Sequence, residues 1–352
     1  MIPENQLMTM PNDQYIDFRS DTVTRPTPAM RQAMMQADVG DDVWGEDPTV
    51  IELEQVLAAR AGMQAGLFMP SGTQSNLVAL LTHCARGDEY IVGQQAHTYK
   101  YEGGGAAVLG GIQPQPLNMT AFGGLDLDEV EQAIKPDDCH FARTRLLCLE
   151  NTVHGKVLPL DYIEQARELT DEHGLLLHLD GARIFNAVVK LGCELQEITR
   201  HVHTISICLS KGLGAPVGSV LLGPQTFINQ ARRWRKVTGG GMRQAGILAA
   251  AGLHALDHHI QRLADDHRRA ADLAGHLMKA GFELDQPQTN MLFINSGQLP
   301  RQALASWLDD HGIKADCLGR DSIRLVTHLD ISDADIARAG EVFTAFMRAH
   351  RL

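Results

Sequence analysis

Short apolar runs alternate with amphipathic stretches of helical length through about the first 250 residues, a pattern that predicts a mostly parallel β-sheet covered by helices. The runs read as strands are 66–69, 90–92, 145–149, 175–179, 203–209 and 217–222. Helical patterning lies between them, over 49–61, 75–84, 128–134 and 162–173. Gly62, Gly87, Pro159, Gly174 and Pro224 punctuate the junctions. After Gly239, Gly240 and Gly241 an alanine-rich run over 243–279 reads as one extended helix or two in tandem. The tail then alternates again, with strand 291–294, helix 301–311, strand 322–326 and an amphipathic helix 333–350. The expected plan is a polar extension over 1–14, a large domain over 15–254 with helices on both sheet faces, and a smaller C-terminal α/β domain over 255–352.

Composition narrows the class. A chain of 352 residues is comfortable for two domains, and 44% apolar residues suffice for a sizeable core. A net charge of −12 with no offsetting basic patch argues against a nucleic-acid surface. No apolar run reaches membrane-spanning length, and the N-terminus lacks a signal-peptide pattern. The six cysteines (84, 139, 148, 193, 208 and 317) form no CxxC pair, which suits reduced, buried thiols. A soluble cytoplasmic protein is expected, with no membrane or nucleic-acid partner and no metal.

Two strand ends carry the chemistry. The run Ile205-Ser206-Ile207-Cys208-Leu209 ends on Ser210-Lys211-Gly212-Leu213-Gly214. A lysine just past a buried strand sits where it loses hydration, the setting of nucleophilic amines. The earlier run Leu175-Leu176-Leu177-His178-Leu179 ends on Asp180-Gly181-Ala182-Arg183. An amine to join an aldehyde and an acid to keep a pyridine nitrogen protonated are what pyridoxal 5'-phosphate requires. The phosphate also needs a cradle. Pro70-Ser71-Gly72-Thr73-Gln74-Ser75-Asn76 follows a short strand and opens an apolar helix. Gly72 and Thr73 are the phosphate candidates, through backbone N–H groups and a helix N-terminus, although an ordinary Ser/Thr cap reads the same way.

Other candidates have two readings each. His97, just past strand 90–92, can stack on the pyridine ring or be structural. Arg183 and Arg324 can grip a substrate carboxylate bidentately. Arg183 can instead form an internal salt bridge, and Arg324 can be an edge-strand charge facing water. In the basic cluster 232–236, Arg232, Arg233 and Arg235 read as a solvated helix face. The three glycines suit close approach to another chain or an anion, and Arg243 after them is a candidate phosphate contact in a neighbouring subunit.

The order of these motifs resembles the low-specificity L-threonine aldolases, within the fold-type I pyridoxal-phosphate enzymes. The match runs from about residue 15 onward. It includes Asp17 to Thr24, Gly40-Asp41-Asp42-Val43, Ser71 to Asn76, His97, His140-Phe141, Glu150-Asn151-Thr152, Asp180 to Arg183, Ser210 to Gly214, Gly239 to Arg243 and Arg324 to His328. The resemblance implies a transferase-like fold with Lys211 as covalent anchor, Asp180 on the ring nitrogen and His97 stacked over the ring. It implies Ser20, Arg183 and Arg324 on the substrate carboxylate, with Tyr101 and His140 on the substrate side and His140 and Arg243 supplied by a neighbouring subunit. It further implies a homotetramer built as a dimer of dimers. Two positions depart from the family pattern: Trp44 stands for an expected tyrosine, and Val153 stands for an expected histidine, with an imidazole gained one residue later at His154.

The activity so implied is cleavage of L-threonine, L-allo-threonine and other L-β-hydroxy-α-amino acids to glycine and an aldehyde, in both directions. The general base is His97, His140 or a water they hold. A β-eliminating lyase or an aminotransferase of the same fold is the nearest alternative. A non-catalytic scaffold using the Ser71 turn for another phosphate is a more distant one.

Overall fold

The computed structural model describes residues 15–295, 297, 299–317 and 322–350. The extension expected over 1–14 lies outside the described residues. The strands, in chain order, are β1 (Ile16–Asp17), β2 (Ala65–Met69), β3 (Glu89–Gly93), β4 (Gln113–Leu117), β5 (Thr144–Glu150), β6 (Leu176–Gly181), β7 (Thr204–Cys208), β8 (Ser219–Gly223), β9 (Met291–Asn295), β10 (Ile313–Lys314) and β11 (Ser322–Val326).

Two compact units result. One is Thr24–Ala264; the other joins residues up to Val23 with Asp265–Leu352. The division falls ten residues beyond 254/255, and residues 15–23 go with the smaller unit. Strand pairing accounts for the latter, since β1 lies parallel to β10 with Ile16 opposite Ile313.

The larger unit is built on a seven-stranded sheet in the order β2-β8-β7-β6-β5-β3-β4. Strands β3 to β7 are mutually parallel, and β8 runs antiparallel between β2 and β7. Successive side chains of a strand point to opposite faces, and here both faces are covered. Leu147 and Leu149 enter one core with Leu53, Leu57, Ile163 and Ala166 from the helices Pro48–Arg60 and Leu160–Glu172. Their neighbours Leu146 and Cys148 enter another with Leu80 and Leu81 of the helix Gly72–His83. Burial on both faces explains why these strands read as continuous apolar runs.

The edge strand β4 reads Gln-Pro-Gln-Pro-Leu and has no apolar run to announce it. Proline lacks a ladder donor and is tolerated at sheet edges, which is where β4 lies. The alanine-rich stretch 243–279 resolves into two helices, Gly246–His258 and Leu263–Ala280.

The smaller unit pairs β9 with β11 antiparallel, Phe293 opposite Arg324. Its core gathers Phe18, Phe282, Leu292, Ile294, Leu304 and Phe343. No helix among the described residues is long and apolar enough to cross a membrane. All six cysteines are free.

Candidate active site

Strands β3, β5, β6 and β7 point their carboxyl ends the same way, so the loops that follow them meet along one rim. Asp180 and Gly181 end β6. A side chain at 181 would put its Cβ 2.7 Å from the Ser206 carbonyl oxygen, so glycine lets β6 lie close against β7 here. Asp180 is buried. Its Oδ1 accepts from the Ala182 backbone N–H at 3.0 Å and its Oδ2 from Asn76 Nδ2 at 2.9 Å.

Lys211 follows β7 and is partly buried. Its carbonyl accepts from Thr24 Oγ1 at 2.9 Å and from the Gly214 N–H at 2.8 Å, which fixes the turn carrying it. Two donors on this one carbonyl anchor the backbone that carries the amine at the sheet rim.

The phosphate candidates lie at the start of the helix Gly72–His83. Ser71 is extended and caps the helix, its Oγ accepting from the Gln74 N–H at 3.2 Å. The N–H groups of Gly72 and Thr73, in the first turn, have no acceptor within the helix. A Cβ on Gly72 would come within 3.4 Å of Ser219 Oγ. That hydroxyl is buried and has no hydrogen-bond partner. An orphaned hydroxyl beside unpaired N–H donors at a helix N-terminus fits a phosphate dianion. With the amine of Lys211 and the buried acid of Asp180, the residues present fit pyridoxal phosphate.

The three glycines serve a neighbour within the chain. Gly240 lies so close to the Gln74 side chain that any Cβ would overlap it. Gln74 Nε2 donates to Thr238 O at 2.9 Å, tying the helix start to this turn.

His97 opens a short helix at the rim, and its backbone N–H donates to Glu150 Oε2 at 2.8 Å. Its ring Nδ1 lies 2.8 Å from Glu102 Oε1, which also accepts from Asn76 Nδ2 at 2.9 Å. Ligating atoms of His97, Glu102 and Asp180 lie within 4.8 Å of one another. The hydrogen bond to Glu102 raises the pKa of His97 against the effect of burial. Burial raises Glu102, and burial together with the Asp180 charge pushes Glu150 up to about 7. The Tyr101 ring is 5.8 Å from that of His97 and more than half exposed.

Asn76 and Glu150 fall inside the sequence motifs without a role that the sequence assigns, and Glu102 falls in none of them. The signal for Glu102 was its place five residues after His97, ahead of three glycines.

The remaining predicted residues are held by local contacts. Arg183 is partly buried and precedes the helix Ile184–Leu191. Arg243 pairs with Asp41 at 2.8 Å. His140 sits on an exposed loop, bonded to Asp138 at 2.5 Å, and hydrogen-bonds none of the residues around Asp180. On the smaller unit, Arg324 Nη2 donates to Arg19 O at 3.0 Å and pairs with Asp316 at 3.2 Å. Its Nε is buried without a partner. Ser20, next to Arg19, accepts from the Thr22 N–H at 3.3 Å.

The solvated reading of Arg235 is wrong. Its side chain is only 3% exposed, pairs with equally buried Asp42 at 2.9 Å and donates to Phe68 O at 2.9 Å. An acid 193 positions earlier compensates its charge (235 − 42 = 193), and nothing local to the helix announces that.

The sequence profile of the beta-eliminating lyase family matches residues 17–297. The low specificity L-threonine aldolase of Escherichia coli is 55% identical over 332 residues, 94% of this chain and 99% of that enzyme. The low-specificity L-threonine aldolase 1 of Arabidopsis thaliana is 42% identical over 333 residues, 91% of this chain and 93% of that protein. Among solved structures, a threonine aldolase from Leishmania major matches with a TM-score of 0.81 at 23% identity, over 94% of this chain and 99% of its own. The serine palmitoyltransferase of Sphingomonas wittichii matches with a TM-score of 0.75 at 18% identity, over 95% of this chain and 88% of its own. These two likenesses are of fold.

Proposed function

Since the chain belongs to the beta-eliminating lyase family and groups there with the low-specificity L-threonine aldolases, we propose that its reaction is the reversible cleavage of L-threonine and L-allo-threonine to glycine and acetaldehyde, with other L-β-hydroxy-α-amino acids giving the matching aldehydes. It is a lyase of the fold-type I pyridoxal-phosphate class. The observation that carries the reading is a buried, doubly hydrogen-bonded Asp180 on the same rim as Lys211, in a chain 55% identical to such an aldolase.

When bound, pyridoxal phosphate supplies an electron sink for the pair released as the Cα–Cβ bond breaks. Lys211 would be its covalent anchor. Asp180, held by Asn76 and the Ala182 N–H, would keep the proton on the ring nitrogen. The N–H groups of Gly72 and Thr73 and the Ser219 hydroxyl would take the phosphate, with Arg243 of a neighbouring subunit. His97 would stack against the cofactor. With its Nδ1 committed to Glu102, its Nε2 is the atom left to accept the substrate hydroxyl proton, directly or through water. Arg183, Arg324 and Ser20 hold the substrate carboxylate, and Tyr101 and a neighbour's His140 line the space around the hydroxyl.

We read the assembly as a cytoplasmic homotetramer with active sites shared between chains, acting in threonine catabolism. In support, the isolated chain exposes Met35, Trp44, Val108, Leu109 and Val237, each more than half accessible.

The test is acetaldehyde release from L-threonine by the purified enzyme and by Lys211→Ala. Loss on the order of 10³-fold or more is expected. Turnover by the variant at the parent's rate overturns the assignment, as does pyruvate from serine in place of acetaldehyde from threonine. Mixing Lys211→Ala with His140→Ala chains recovers part of the activity if sites are shared, and recovers none if they are not.

A further inference from the structure

We propose that Glu102 is a positioning residue: its carboxylate holds the His97 ring in one tautomer, Nδ1 protonated and Nε2 bare, and Asn76 ties that carboxylate to Asp180. The proposal rests on the reaction assigned above, in which His97 is the proton acceptor. Glu102 is nearly inaccessible, its side chain 4% exposed, and one oxygen, Oε1, faces both His97 Nδ1 at 2.8 Å and Asn76 Nδ2 at 2.9 Å. The same Asn76 nitrogen lies 2.9 Å from Asp180 Oδ2. Two carboxylates converging on one amide leave it a single sensible orientation, NH₂ toward the acids and Oδ1 away.

The polar chain on the other side of Asn76 agrees with that orientation. Its Oδ1 lies 3.4 Å from His178 Nε2, His178 Nδ1 lies 2.9 Å from Thr204 Oγ1, and Thr204 Oγ1 lies 2.8 Å from His83 Nε2. Burial lowers His178 to about 4 and His83 well below its ordinary value, so each ring is neutral near pH 7 and carries one N–H. One assignment then satisfies every contact. His83 Nε2–H donates to Thr204, the Thr204 hydroxyl to His178 Nδ1, His178 Nε2–H to Asn76 Oδ1, and Asn76 NH₂ to Asp180 and Glu102. The His97 Nδ1–H completes the set by donating to Glu102.

Several charged groups act on His97 besides Glu102. Asp180 at the end of β6 favours its proton, and Lys211 after β7 opposes it. Glu150 at the end of β5 accepts from its backbone N–H. Among the described residues, Glu102 is the one acid within hydrogen-bond distance of the ring nitrogen.

The test uses the holoenzyme, with histidine ring nitrogens labelled and His97 assigned by its loss in His97→Gln. Imidazole nitrogen shifts across a pH series give tautomer and titration midpoint, and kcat/KM for threonine is followed in parallel. In the parent, His97 is protonated at Nδ1. In Glu102→Gln its midpoint falls by about one pH unit or more, and the acid limb of kcat/KM moves to lower pH with it. Glu102→Asp, which keeps the charge and withdraws it by one methylene, gives a midpoint between the two. Parental tautomer and midpoint in either variant overturn the proposal, whatever the activity. The expected His97 shifts in an enzyme that releases no acetaldehyde support it while removing the assigned reaction.

Discussion

Arg235 and Asp42 form a buried ion pair whose two halves come from opposite parts of the larger unit's sequence. Asp42→Ala leaves the guanidinium buried and unpaired, and a loss of about 3–5 kcal/mol in urea unfolding is expected. Arg324 is a different case, its side chain 36% exposed, and Arg324→Ala is expected to raise KM for threonine roughly 10- to 100-fold through a lost charged hydrogen bond. Unchanged kinetics remove Arg324 from the carboxylate clamp. Asp180 and Lys211 were legible in the sequence because each ends an apolar run, and the sheet sets such ends side by side. Arg235 and Glu102 were not. Asp42 meets Arg235, and Asn76 meets Glu102 and its neighbour His97, only when distant segments pack.

The strands of the larger unit were readable where both faces are buried, because apolar runs leave no alternative to a central position. Strand β4 escaped, since its prolines and glutamines look like a loop until an edge position gives them a place. Helix starts were read late. The helix expected from residue 75 begins at Gly72, because Ser71 caps it with a side chain that carries no hydrophobic signal. Gly181 shows how tightly the elements are set. Gly181→Ala forces β6 away from the Ser206 carbonyl, costing about 1–3 kcal/mol in equilibrium unfolding and loosening the cofactor through Asp180. An alanine variant with parental stability and parental cofactor affinity refutes that account of the β6–β7 contact.

For the whole molecule, the buried histidines set the response to acid. His178 is lowered to about 4 by burial, below its unfolded value of about 6.5, so the unfolded chain binds more protons in that interval. Acidification from pH 6.5 to 4 therefore removes stability, by roughly 3 kcal/mol from this residue. Glu150 opposes it. Raised to about 7, it withdraws stability as pH climbs from the ordinary glutamate value. Melting curves of His178→Asn isolate the first effect: its stability should fall less than the parent's over that range, and an equal fall refutes the prediction. The antiparallel β8 has a consequence of another kind. It separates β2 from β7, yet it is the last of the seven to leave the ribosome, about 150 residues after β2. At roughly 5–20 residues per second, the β2 edge of a nascent chain waits about 8–30 s unzipped, whereas the β7 edge, completed at Cys208, waits only for the short segment up to Ser219. During translation the protein's exposure to misassociation is therefore timed by the arrival of one five-residue segment.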